Sequence, residues 1–185
     1  GLGTINDDDA QPTLSINDVA VTEGNAGPVV VGFTVTLSAA SGQTVTVSAA
    51  TANNTAIAPG DYTAVGATTL TFNPGVTTQS FNVNALGDTL DEVNETFFVN
   101  LSSATNASIT DNQGIGTITD DDAPPTLSIN DVTVTEGNAG PVVAGFTVTL
   151  SAASGQTVTV SAATANNTAV SPGDYTAVGA TVVTF

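Results

Sequence analysis

The chain has 185 residues, 17 of them acidic and none basic, so its formal net charge is −17 at pH 7. Nucleic acid and anionic lipid surfaces are disfavoured as partners, because both are met with Lys and Arg that displace counterions. The absence of Cys and His removes disulfides, thiolate and imidazole metal sites and the usual histidine-based catalysis, while 41% hydrophobic and 9% charged residues argue against a disordered acidic tail. Strand A is read from "TLSI" and "VAV" within 13–21, and strand B from "VGFTVTLS", where Val31, Phe33, Val35 and Leu37 alternate with Gly32, Thr34 and Thr36. Strand C follows in "TVTVSA" (Val45, Val47), D in "TLTF" (Leu70, Phe72) and E in "SFNVNA" (Phe81, Val83). Strand F is "TFFVNLS" (Phe97, Val99, Leu101) and strand G is "GIGTIT" at 114–119. Between them lie turn-like segments rich in Gly, Pro, Asn and Asp, such as "TEGNAGP", "NNTAIAPGD" and "GDTLDEVNE". No stretch has useful helical periodicity, and no apolar run approaches the roughly 18 residues of a membrane-spanning helix, so no membrane insertion is expected.

The sequence repeats with a period of 113 residues: 1–72 match 114–185 except at nine positions, leaving 63 identities. Residues 1–9 read as the C-terminal end of a preceding repeat, 10–122 as a complete domain, and 123–185 as the N-terminal part of the next. A repeat of this length is a domain with its own core rather than a solenoid turn. Seven short alternating strands in such a domain predict an all-β fold, a seven-stranded antiparallel immunoglobulin-like β-sandwich in tandem.

If consecutive strands run antiparallel, the A–B, C–D and E–F connections share one end with the exit of strand G. Glu23, Asp61, Asp88, Asp91, Glu92, Glu95, Asp120, Asp121 and Asp122 then gather at one pole, nine of the eleven acids in 10–122. Asp18 and Asp111 are left out. Crowded carboxylates without a base must either stay protonated or meet a cation. Oxygen donors on loops suit Ca2+, which takes 6–8 oxygens, better than Mg2+, which keeps its waters. The same aspartate run recurs at Asp7, Asp8 and Asp9. Asp111, in the F–G connection, is placed to reach back towards that run at the junction between repeats.

Taken together and in order, "VTEGNAG", "PGDYTA", "LTFNPG", "DTLDEVNETFFVNLS" and "GTITDDD" resemble the Calx-beta domain. That family is the calcium-binding sandwich of sodium/calcium exchangers, integrin β4 and large bacterial surface proteins. The resemblance implies Ca2+ ligands at Glu23, Asp61, Asp88, Glu92 and the terminal aspartates, with Glu95 as an addition. Glu136 and Asp174 repeat the first two in the next unit. Where well-charged members carry two adjacent acids in the E–F loop, this chain has Gly87 before Asp88, which implies that one ion position is weakened or lost.

The function expected is that of a calcium-binding structural module, not an enzyme, in an extracellular tandem-repeat protein of adhesin, surface-layer or filament type. Ca2+ would stiffen the junctions between neighbouring repeats. Near-identical repeats favour such an array, and the lack of Cys suits a bacterial cell surface. Neighbouring repeats, and identical chains in an assembly, are the expected partners. The alternative is a regulatory calcium sensor attached to a transporter or enzyme.

Overall fold

A computed structural model describes residues 1–4, 6 and 8–185. The chain forms two compact units, 1–89 with 93–121 and 90–92 with 122–185.

Among the described residues of the first unit, alternation of apolar and polar residues drives nine strands. They are β1 (Thr13–Ile16), β2 (Val19–Thr22), β3 (Gly27–Leu37), β4 (Val45–Asn53), β5 (Thr68–Phe72), β6 (Thr78–Gly87), β7 (Glu95–Thr105), β8 (Ser108–Ile109) and β9 (Gln113–Thr119). One sheet has the order β6-β3-β1-β8 and the other β2-β9-β7-β4-β5. Along β3, Val31, Phe33, Val35 and Leu37 are buried while Gly32, Thr34 and Thr36 face solvent, as the period-two pattern requires. The inward residues of both sheets form one core. Phe33 of β3 meets Phe97 of β7 edge-on with ring centroids 5.9 Å apart, which ties the two sheets together. Tyr62 stacks on the other side of Phe97 at 4.5 Å, so the β4–β5 connection is anchored in the core.

The all-β sandwich therefore follows the expected pattern, and strand pairing refines it. Strand A is two strands, because the chain changes sheets at Asn17–Asp18. Asn17 Oδ1 accepts from Thr34 N–H at 2.6 Å on one sheet, and Asp18 Oδ1 accepts from Ile115 N–H at 2.7 Å on the other. The antiparallel expectation needs correction at two pairs: β2 runs parallel to β9, and the short β8 runs parallel to β1. The first follows from the split, since β2 continues the chain after β1 into the sheet that holds β9. The remaining ladders are antiparallel.

In the second unit, β10 (Leu127–Ile129) pairs with β11 (Val148–Leu150), and β12 (Thr159–Ala162) pairs with β13 (Thr181–Thr184). These residues repeat those of β1, β3, β4 and β5 in sequence. Phe33 is fully buried, and Phe146, at the equivalent position of the repeat, is 56% exposed.

Candidate metal centre

Strand register brings four chain segments to one end of the first unit. Thr22 lies opposite Thr119, so the ends of β2 and β9 are side by side. Glu95, opening β7, faces Ile118 of β9. Asn53 ends β4 opposite Phe97, and Gly87 ends β6 opposite Gly27 at the start of β3. The β2–β3, β4–β5 and β6–β7 connections thus share an end with the exit of β9.

Glu23 follows β2 directly, and its N–H donates to Thr119 O at 3.1 Å. It is the one buried charged residue among those described, 6% exposed. The next amide, Gly24 N–H, donates to Asp121 Oδ1 at 3.0 Å, which stitches the β2–β3 loop to the aspartate run. Asp120 N–H in turn donates to Asn94 Oδ1 at 3.1 Å. Backbone and amide contacts therefore fix the positions from which the acids project.

Carboxylate oxygens of Glu23, Asp120 and Asp122 all lie within 4.8 Å of one another. Two like charges about 4 Å apart repel by roughly 4 kcal/mol at an effective dielectric of 20. No Lys, Arg or His side chain exists in the chain to offset this. Asp120 Oδ1 is buried and has no hydrogen-bond partner among the described residues. Such an atom costs free energy unless something positive or hydrogen-bonding meets it. Oxygens bound to one Ca2+ at about 2.4 Å can stand at most about 4.8 Å apart, so the spacing of the trio fits one ion. The donor set is all oxygen, which suits a hard cation.

The other sequence-predicted ligands have different settings. Asp61 stands at the same end, outside the trio, where its Oδ2 accepts from Ile57 N–H at 2.5 Å and its carbonyl accepts from Leu86 N–H at 2.9 Å. Asp88 lies in the β6–β7 connection and Glu95 on the first position of β7, both also outside the trio. Asp91 and Glu92 belong to the second unit. There the Asp91 carboxylate accepts from Ser154 Oγ and Gln156 Nε2, each at 3.3 Å, and Glu92 packs on Gly155. Asp111 sits in the β8–β9 turn, where its Oδ1 accepts from Gln113 N–H at 3.3 Å. Asp8 and Asp9 precede β1, apart from the trio, and Asp7 lies outside the described residues. In the second unit Glu136 is exposed, and Asp174 Oδ2 accepts from Val170 N–H at 2.8 Å, repeating the Asp61 arrangement.

Two contributors escaped the sequence reading. Asn94 stands out in the sequence only as the start of an Asn-x-Thr triplet, and Gly24 only as a turn former, since neither carries a charge. Their roles depend on long-range pairings, 26 and 97 residues apart in the chain.

A two-sheet β-sandwich with an oxygen-only trio at the exit of its last strand defines a cation-binding β-domain. The chain belongs to the Calx-beta domain family, whose model matches residues 7–122 and 120–185, and Calx-beta domains bind Ca2+. Solved structures share the fold. An apo-form Calx CBD1 domain is 23% identical, with a TM-score of 0.52, covering 61% of this chain and all of that one. CBD12 from CALX1.2 is 22% identical with a TM-score of 0.55, covering 94% of this chain and 70% of that one. The calcium binding domain CBD12 of CALX1.1 is 22% identical with a TM-score of 0.55, covering 93% and 69%. No curated protein matches the chain.

Proposed function

We propose that the chain is a calcium-binding structural module of a tandem-repeat protein, with 10–122 as one complete repeat, 1–9 the end of another and 123–185 the start of a third. The observation that carries the calcium site is the buried Asp120 Oδ1, without a hydrogen-bond partner among the described residues, beside Glu23 and Asp122 in a chain without a basic side chain. Glu23, Asp120 and Asp122 would hold the ion, and Ca2+ there supplies charge neutralisation rather than chemistry on a substrate. Asp61, Asp88, Glu95 and Asp121 lie in or beside the connections at the same end of the first unit, from which they would complete or tune the shell. The module is a binder, not a catalyst.

The 63 identities between 1–72 and 114–185 support an array in which copies perform one mechanical task. On this reading the protein works outside the cell, on a bacterial surface or in a filament. Its partners are neighbouring repeats and identical chains, and Ca2+ limits the freedom of each junction. The regulatory reading has its own support, because the likeness to CBD12 from CALX1.2 extends over 94% of the chain. Calorimetric titration of the chain with Ca2+ separates the two. An extracellular structural module binds at about 10⁻⁴–10⁻³ M, whereas a sensor binds at about 10⁻⁷–10⁻⁵ M.

A further inference from the structure

Gly87 ends β6 where the resemblance leads one to expect a carboxylate, and the geometry around it gives that substitution a different meaning. A Cβ built at Gly87 would stand inside the van der Waals surface of the Gly24 carbonyl oxygen and 2.5 Å from that of Glu23. Both obstacles are backbone, so no side-chain rotation relieves them. The β2–β3 loop cannot retreat freely either. On its far side Glu23 N–H is bonded to Thr119 O at 3.1 Å, and Gly24 N–H to Asp121 Oδ1 at 3.0 Å. Gly24 and Gly27 hold the loop's shape with φ of 70° and 75°, a conformation that side chains oppose. The loop carrying Glu23 is therefore held between the end of β6 and the exit of β9, and it fits only because position 87 lacks a side chain.

We infer that Gly87 is a positioning residue for the cation site: its missing side chain lets the Glu23 loop close onto Asp120–Asp122. An added carboxylate at this position then weakens the site instead of enlarging it. The inference rests on the calcium reading above for its affinity consequence, and on geometry alone for loop closure.

The test uses the full chain with three variants, Gly87→Ala, Gly87→Asp and Thr89→Asp. Thr89 is exposed in the same connection, so its variant adds a charge without the clash. Calorimetry with Ca2+ should show affinity falling by about tenfold or more for both Gly87 variants, the cost of losing a supporting partner, while Thr89→Asp does not weaken binding. Hydrogen exchange in chelator should show the Gly24 amide protected in the wild type and released in Gly87→Ala. Tighter binding or an extra ion in Gly87→Asp overturns the inference. So does unchanged Gly24 protection in Gly87→Ala. If the Gly87 variants do not fold, the wild-type chain still decides, because a Gly24 amide exchanging at open-loop rates both with and without Ca2+ contradicts closure. If no Ca2+ binds at all, the functional reading fails while the Gly24 measurement still tests the geometry.

Discussion

Asp18 commits its carboxylate to the backbone, accepting Ile115 N–H at 2.7 Å, whereas Asp120 Oδ1 is buried without a hydrogen-bond partner among the described residues. The two aspartates should therefore respond differently to the same change. Asp120→Asn removes one of three charges held within 4.8 Å, so in chelator the variant should be more stable than the wild type. It should also bind Ca2+ more weakly, by more than the roughly tenfold that loss of an outer-shell partner costs. Asp18→Asn keeps the oxygen that accepts from Ile115, so both stability and affinity should stay within about 0.5 kcal/mol of wild type. Urea unfolding in chelator and calorimetry in Ca2+ read the two effects, and a matching response from both variants would remove the distinction between the poles. The order of strands and connections sets Asp18 and Asp111 apart from the other nine acids of the repeat but ranks those nine equally. Which of them converge depends on pairings such as Gly24 with Asp121, 97 residues apart, that no local pattern encodes.

At the scale of elements, the β4–β5 connection is held by Tyr62, which stacks on Phe97 and donates its hydroxyl to Asn53 Oδ1 at 2.6 Å. Burial pushes the Tyr62 hydroxyl above its usual pKa of 10.0, and the neighbouring Asp61 charge adds to this. The folded chain thus keeps the proton at a pH where the unfolded chain releases it. The contribution is present below about pH 10 and is lost as pH rises beyond it, as the unfolded tyrosine ionises. Urea midpoints at neutral pH and above pH 10 should show a fall for the wild type that is smaller in Tyr62→Phe. An equal fall in both would assign the alkaline loss elsewhere. The strands themselves were legible because alternation reports burial directly, as along β3. The split of strand A and the two-residue β8 were not, since Asn17–Asp18 reads as an ordinary polar dipeptide until two sheets are present for it to bridge. Asp91 is read as a ligand from its place in the E–F connection and Glu92 also from the family resemblance; neither signal encodes that they lie with Ser154, Gly155 and Gln156.

At the scale of the whole chain, one sequence occurs in two settings. Residues of β4 and β5 sit in a five-stranded sheet over a closed core, while their counterparts β12 and β13 form a two-stranded sheet with little buried surface.

The central claim is that this acidic chain completes its fold with Ca2+ at Glu23, Asp120 and Asp122, and thermal unfolding with Ca2+ and with chelator tests it most directly. A ligand that binds only the folded state adds about 2.7 kcal/mol at a hundredfold excess over its dissociation constant. The melting temperature should rise accordingly with Ca2+, and much less so in Asp120→Asn. Equal melting temperatures with Ca2+ and with chelator, at saturating calcium, would contradict it.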